Sequence, residues 1–149
     1  MPRTPDPQTH AIDHAAFKEL IEQGIPFNAL LGIQVVSLEI GVCKLSIPFK
    51  PELVGDVRRG ALHGGVISML VDTCGGFAVW TMCKITDRIS TIDLRVDYLK
   101  PALSETLVAE SHVKLLGNRV GNVQTSVYAS SAPEVVLAEG RSVYNIRRG

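Results

Sequence analysis

The sequence predicts an α+β fold in which one long helix lies against a mostly antiparallel sheet. An apolar run over residues 66–82 has the length of a core helix, although Asp72 and a Gly-Gly pair interrupt it. From about residue 89 onwards, stretches with the alternation of strands follow one another, separated by turn residues. Strands that arrive consecutively after one long helix are typical of an antiparallel sheet with that helix on one face.

The bulk composition is that of one globular domain. Of the 149 residues, 46% are hydrophobic and 20% charged, and 15 basic residues balance 15 acidic ones. No net charge therefore favours a nucleic acid or an anionic membrane as a partner. The apolar run is shorter than the ~20 residues that a membrane-spanning helix needs, so no membrane span is expected.

The N-terminus, MPRTPDPQTH, is polar and rich in proline, the opposite of a signal peptide. We expect residues 1–11 to form a flexible arm and residues 12–149 a single domain. The cysteines Cys43, Cys74 and Cys83 have no C-x-x-C spacing and lie near no histidine cluster. This predicts reduced thiols in a cytoplasmic protein, with no disulfide framework and no zinc site.

The first elements are a short helix and two strands. In DHAAFKELIEQG, Asp13 can cap the helix, apolar residues recur at helical spacing, and Gly24 can end it. Pro26 is then expected to break the chain. The segment LGIQVVSLEIGVCKLSIPF predicts two strands joined near Gly41, and a polar connection leads to the central helix.

Four strands are expected after the central helix: STIDLRVDYL, TLVAESHVKLL, RVGNVQTSVYAS and VVLAEGRSVYNI. In the first of them, an apolar set alternates with a charged set, namely Ile92, Leu94, Val96 and Tyr98 against Asp93, Arg95 and Asp97. Such alternation is typical of a strand.

Common catalytic motifs are absent from the sequence: there is no G-x-S-x-G, no G-x-x-x-x-G-K-[ST], no G-x-G-x-x-G and no histidine pair at metal-ligand spacing. The candidate that remains is ALHGGVISMLVDTCGGFAVW, residues 61–80. Gly64 and Gly65 leave backbone N–H groups open to a ligand, and a helix that begins there adds the positive end of its dipole. These groups can bind a carbonyl oxygen that becomes negative during acyl transfer.

Asp72 lies seven to eight residues beyond these glycines, which is roughly 10–12 Å along a helix axis. One carbonyl cannot touch both ends of that span. If both act on one bond, a second copy must supply one of them, which requires a symmetric dimer with its central helices side by side. Structural alternatives stay open: the glycines can simply form a turn, His63 can be a cap or a core histidine, and Asp72 can pair with an arginine of the sheet.

These residues resemble the H-G-G-x(6)-D signature of hot-dog-fold thioesterases of the PaaI-like (phenylacetic acid degradation-type) subfamily. The segments TIDLRVDYLKPA, LGNRVGNVQTSVYA and LAEGRSVYNI resemble the family's later segments in the same order. The resemblance spans about residues 29–147. It implies the hot-dog fold, a long helix wrapped by an antiparallel sheet, and homodimers that commonly pair into tetramers.

The resemblance also implies hydrolysis of aryl- or fatty acyl-CoA thioesters, with Asp72 as nucleophile or as general base towards water. The N–H of Gly64 of the partner subunit, next to Gly65, would polarise the thioester carbonyl. His63 would shape this end of the site, and Thr91 matches a position near the catalytic water. No metal-ligand cluster is visible, and neither a metal nor a cofactor is expected.

In the same family, CoA phosphates bind at a turn and an arginine that match Asn118, Arg119, Val120 and Arg141 here, although plain surface charge is an equal alternative for them. One position departs from the family. Many members carry an asparagine six residues before the histidine of the signature, where this sequence has Val57.

The same fold also carries other enzymes and non-catalytic proteins that sense or bind acyl-CoA. Dehydratases and hydratases need a catalytic histidine paired with an acid, and their motifs are absent. A transcriptional acyl-CoA sensor needs a DNA-binding helix-turn-helix, for which the N-terminal segment is too short. A non-catalytic protein that binds acyl-CoA remains the alternative, and turnover of acyl-CoA separates it from an enzyme.

Overall fold

The computed structural model describes residues 13–149, so the predicted arm, residues 1–11, lies outside the described residues. Within them the helices are α1 (His14–Glu19), which continues as a π turn (Leu20–Gly24), α2 (Pro26–Leu31) and α3 (Gly64–Trp80). The strands are β1 (Gln34–Glu39), β2 (Val42–Ile47), β3 (Val54–Asp56), β4 (Ala61–Leu62), β5 (Arg88–Tyr98), β6 (Leu107–Leu116), β7 (Val120–Ala129) and β8 (Val136–Arg147).

Six strands form one antiparallel sheet in the order β1-β2-β6-β7-β8-β5, and β3 pairs with β4 in a separate small hairpin. The long helix α3 packs across β2 and β5 to β8, so the sheet wraps around it. This architecture confirms the predicted α+β hot-dog fold. The strands β1 and β5 are the two edges of the sheet.

One side of α3 makes the core of the molecule. Its buried residues are Ile67, Leu70, Val71, Cys74, Gly75, Phe77, Ala78 and Val79. Glycines on both elements let the helix lie close to β8. A side chain at Gly75 would collide with the Tyr144 hydroxyl, and one at Gly140 would collide with Val71. The opposite side of α3 is only partly covered, and Gly64, Ser68 and Asp72 follow one another there at intervals of four residues.

The start of the described chain matches the prediction at Asp13, whose carboxylate accepts a hydrogen bond from the Ala16 N–H at 2.9 Å and caps α1. The prediction was wrong at Pro26, which begins helix α2 instead of breaking the chain. Proline fits the first position of a helix because its φ is already helical and its missing N–H would have no partner there. Gly32, with a φ of 75°, then ends α2.

The three cysteines are buried and form no disulfide. The thiol of Cys74 donates to the Cys43 carbonyl at 3.1 Å. A hydrogen bond with Cys74 and burial raise the pKa of the Cys43 thiol well above its usual range, and burial raises the pKa of Cys83. Protonated, buried thiols of this kind are packing groups and not nucleophiles. Among residues 13–149, none of the helices has the length and apolar character needed to span a membrane.

Candidate active site

Asp72 lies in the middle of α3 with its carboxylate half-buried on the partly covered side of the helix. Oδ1 accepts a hydrogen bond from the Thr91 hydroxyl at 2.7 Å. Within residues 13–149, Oδ2 has no hydrogen-bond partner and no arginine or lysine forms an ion pair with the carboxylate. The structure therefore does not show the arginine partner that a purely structural Asp72 would have.

Thr91 reaches Asp72 because of a β-bulge in β5. Thr91 is opposite Tyr144 and Asp93 is opposite Val143, so Ile92 is the extra residue between them. The bulge reverses the alternation at this point, and Thr91 joins the inward-facing Leu94 on the helix side of the sheet. Unbroken alternation would have placed Thr91 on the outer face with Asp93, and bulges commonly redirect a side chain in this way beside active sites.

The backbone of Asp72 is also held. The hydroxyl of Tyr144 on β8 donates to the Asp72 carbonyl at 2.7 Å. Burial raises the pKa of Tyr144, so this hydroxyl stays protonated and remains a donor. Together, Tyr144 and Thr91 fix both the main chain and one carboxylate oxygen of Asp72, and they leave the other oxygen without a hydrogen bond among the described residues.

The other end of the candidate site is the first turn of α3. The Nδ1 of His63 accepts a hydrogen bond from the Gly65 N–H at 2.8 Å, so His63 is the N-cap of the helix. In this arrangement the neutral imidazole carries its proton on Nε2. The Gly64 N–H has no partner among the described residues. Of the two glycine N–H groups in the signature, Gly64 thus offers the free donor and Gly65 does not.

Two hydroxyl groups that the sequence analysis missed lie at the same turn. The carbonyl of Gly64 accepts hydrogen bonds from the Tyr98 hydroxyl at 2.9 Å and from the Ser68 hydroxyl at 3.0 Å. The spacing of four residues from Gly64 to Ser68 to Asp72 was the available signal, since such residues share one face of a helix. Tyr98 ends β5, the same strand that supplies Thr91 to Asp72.

Two cavities of about 300 Å³ each open beside α3. The first lies at the carboxylate, and its walls are Ile25, Phe27, Asn28, Asp72, Thr73, Gly76, Phe77, Trp80, Ile89, Thr91 and Tyr144. The second lies at the start of the helix, and its walls are Phe27, Leu31, Glu52, Leu53, Val54, His63, Gly65, Val66 and Met69. Phe27 of α2 lines both. Their mostly apolar walls suit an acyl or aryl group beside a few polar groups.

The residues predicted to bind CoA do not all come together. Asn118 and Arg119 line a third cavity, of about 600 Å³, with Asn145, Ile146, Arg147 and Arg148. Val120 begins β7 at the edge of this turn and pairs with Asn145. Arg141 lies in the middle of β8, opposite Gln124 and Arg95. Four residues of strand, about 13 Å, separate Arg141 from Asn145.

Val57, at the position where the resemblance led us to expect an asparagine, lies in the exposed turn between β3 and β4 and is 86% exposed. The neighbouring Asp56 pairs with Arg59 at 2.8 Å, and this hydrogen bond lowers the pKa of Asp56. Residues 13–149 contain no group of three histidine, cysteine or acidic side chains placed to hold a metal ion.

Comparison with known proteins identifies the family of this chain. A family model, the Thioesterase superfamily, matches residues 59–136. A Halobacterium salinarum protein named as an esterase is 32% identical over 127 residues, which cover 80% of this chain and 83% of that protein. The medium/long-chain acyl-CoA thioesterase YigI of Escherichia coli is 28% identical over 141 residues, covering 86% of this chain and 90% of YigI.

Among solved structures, the PaaI protein from the phenylacetic acid degradation operon of E. coli superposes with a TM-score of 0.76 at 20% identity, covering 91% of this chain and 90% of PaaI. At that identity the match shows the fold alone. The family model covers more than half of the chain, and the identity to the H. salinarum protein extends over four-fifths of it. The chain therefore belongs to the thioesterase superfamily, has the hot-dog fold and hydrolyses thioesters.

Proposed function

We propose that this thioesterase hydrolyses acyl-CoA at a site shared between two copies of the chain, with the Asp72 carboxylate of one copy and the Gly64 N–H of the other acting on one thioester. The observation that carries the proposal is the pair of unused groups on one helix face. An Asp72 oxygen and the Gly64 N–H both lack partners among the described residues. Their spacing of eight residues, about 12 Å of helix, keeps them from meeting within one chain.

The edge strand β5 supplies the means of dimerisation. One side of this eleven-residue strand, Arg88–Tyr98, pairs with β8, and its other side has no partner strand in the described chain. Such a long unpaired edge favours pairing with another strand. Two β5 strands related by a two-fold axis would continue the sheet and would bring two α3 helices side by side, since α3 packs on β5. Pairing of such dimers into a tetramer is the further expectation of the family resemblance.

Two routes of hydrolysis fit Asp72. As a nucleophile, the carboxylate attacks the carbonyl carbon, CoA leaves as a thiolate, and water hydrolyses the resulting anhydride. As a general base, it takes a proton from water, which attacks the carbonyl carbon and yields the carboxylic acid and the CoA thiol. Both routes place negative charge on the carbonyl oxygen. The partner's Gly64 N–H, at the positive end of a helix, would stabilise that charge.

The cavities and the relatives support acyl-CoA as the substrate class. Apolar walls beside Asp72 suit an acyl or aryl group, and Asn118 and Arg119 suit the phosphates of CoA. YigI is named for medium- and long-chain acyl-CoA. We would therefore measure CoA release from fatty and aryl acyl-CoAs with a thiol reagent. We expect the activity to survive EDTA. If the protein binds acyl-CoAs but hydrolyses none of them, its role is to bind acyl-CoA and not to catalyse.

A mixed-subunit experiment tests the shared site. Asp72→Asn removes the carboxylate, and Gly64→Pro removes the free N–H. Proline suits this position because it is the first helical residue and His63 before it is already extended, with φ −59° and ψ 134°. The added Cβ would lie 3.2 Å from the exposed Tyr98 ring, which can shift.

Each variant alone should lose most of its activity. After exchange of subunits, half of the dimers are mixed, and each mixed dimer has one site with both groups intact. About one quarter of the wild-type activity should therefore return. A mixture of two Asp72→Asn preparations is the control. If the exchanged mixture stays as inactive as its components, the shared site is refuted, and a fully active monomer in sedimentation would refute it as well.

A further inference from the structure

A second acidic residue, Asp87, lies just before β5 and does not contact the candidate active site. Its side chain is only 1% exposed. The carboxylate accepts hydrogen bonds from the Lys84 N–H at 2.9 Å, from the Gly149 N–H at 3.0 Å and from Nη1 of Arg148 at 3.0 Å. Burial by itself would raise the pKa of Asp87, but these hydrogen bonds and the arginine charge outweigh it and lower the pKa. Asp87 is thus an ionised anchor, and both of its carboxylate oxygens accept hydrogen bonds.

Arg148 connects this anchor to the turn between β6 and β7. Its Nε donates to the Asn118 carbonyl at 3.0 Å, and its Nη2 is 3.5 Å from the Gly117 carbonyl. The Ile146 N–H donates to the Arg119 carbonyl at 2.7 Å. Three successive carbonyls of the turn are therefore bound to the end of β8. A surface turn of this kind is otherwise among the more mobile parts of a protein.

The arginines beside the 117–120 turn carry positive charge that is available to an anion. Asp87 neutralises Arg148, whereas Arg119 and Arg147 form no ion pair with any residue in 13–149. These two arginines line the cavity of about 600 Å³ together with Asn118. Holding the turn still before an anion arrives avoids the ordering cost that binding would otherwise include.

We propose that Asp87 is a positioning residue for CoA: through Arg148 it fixes the 117–120 turn so that Asn118 and Arg119 are ready to bind the nucleotide phosphates. This inference rests on the proposed acyl-CoA hydrolysis. Asp87 itself touches no substrate atom. Its effect should therefore appear only with substrates that carry the nucleotide.

The test compares an acyl-CoA with the matching acyl-pantetheine, which has the same thioester and no nucleotide. For Asp87→Asn, KM for acyl-CoA should rise about tenfold, because loosening the turn weakens charge-assisted bonds to phosphate. The kcat values and the KM for acyl-pantetheine should stay at the wild-type values. Arg148→Lys keeps the positive charge, but a lysine cannot bridge two groups in the same plane as an arginine does. This variant should therefore also raise KM for acyl-CoA and leave KM for acyl-pantetheine unchanged. It also carries the test if Asp87→Asn fails to fold, since the Arg148 side chain is 35% exposed.

Glu105→Gln is the matched control. It removes one negative charge from the far end of the β6–β7 hairpin, where Glu105 accepts a hydrogen bond from Ser131. Its KM for both substrates should equal that of the wild type. An equal rise of KM for both substrates, or no rise for either, would overturn the positioning role while leaving acyl-CoA hydrolysis in place. A wild-type protein that hydrolyses neither substrate would instead refute the proposed function, and this inference with it.

Discussion

Asp72 and Asp87 are both carboxylates that are at least half-buried, but their hydrogen bonds differ. Asp87 is buried and receives three hydrogen bonds, one of them from an arginine. Asp72 is half-buried and receives one side-chain hydrogen bond, from the neutral Thr91. Buried acids are normally compensated, so the fully bonded Asp87 is the ordinary case. The incompletely bonded Asp72 is the candidate for chemistry, because an unused oxygen on an open helix face is available to water or to a substrate.

The largest expected effect is the loss of kcat in Asp72→Asn, which distinguishes Asp72 from Asp87. Asp72→Asn keeps the volume of the side chain and an acceptor for Thr91, and it removes the negative charge. Groups that act as base or nucleophile commonly contribute a ~10²–10⁴-fold factor, so kcat should fall by about that much while the melting temperature stays near that of the wild type. An Asp72→Asn protein that melts far lower and retains its specific activity per folded molecule would show that Asp72 is structural.

Asp87→Asn should show the reverse pattern, with a large change in stability and full turnover of acyl-pantetheine. Breaking a buried ion pair costs ~3–5 kcal/mol, and the cost should be lower here, about 2–4 kcal/mol, because Arg148 is partly exposed to water. For a protein of this size, that is a fall in melting temperature of roughly 5–15 °C. Thermal unfolding with Glu105→Gln as the control measures it, and an unchanged melting temperature would contradict the role of Asp87 as an anchor.

The long helix and the later strands were predictable from the sequence because their periodicity extends over many residues. The helix 64–80 combines an apolar run with a glycine start, and the four strands after it alternate between turns. Helix α2 was not predictable in the same way. Six residues give too little periodicity, and Pro26 is equally typical of a chain break and of a helix start.

The candidate site was only partly predictable, since its contacts depend on register and on distant parts of the chain. The bulge at Ile92 inserts a single residue, and the alternating pattern around it gives no sign that Thr91 changes face. The link from Asp87 to Arg148 joins residues 61 positions apart. The sequence has both Arg141 and Arg148 near the end of the chain, and only the structure shows that Arg148, and not Arg141, lies at the 117–120 turn.

A smaller effect is expected for the one side chain that holds the Asp72 carboxylate. Thr91→Val preserves the shape and the strand propensity of threonine and removes the hydroxyl. A hydrogen bond to a charged group contributes ~1.5–3 kcal/mol, part of which is recovered from water here, so kcat should fall about tenfold. Thr91→Ser keeps the hydroxyl and should restore most of the rate. Equal losses in both variants would indicate that packing of the methyl group matters and that the hydrogen bond does not.

The smallest expected effect is on the acid stability of the two proteins that differ at Asp87. Its pKa is lowered in the folded state, so its contribution to stability is fully present above the pKa of an unfolded aspartate, about 3.9. That contribution is lost as the pH falls through the lower folded value, because the folded state must then take up the proton that the unfolded state already carries.

Asp56 and Glu110 also have lowered pKa values, but they titrate in the wild type and in Asp87→Asn alike. The difference between the two melting temperatures therefore isolates Asp87. It should be constant from neutral pH down to about pH 5 and should narrow below about pH 4. Melting curves of both proteins across this range measure it, and a gap that stays constant down to pH 3 would mean that the charge of Asp87 contributes nothing to holding Arg148.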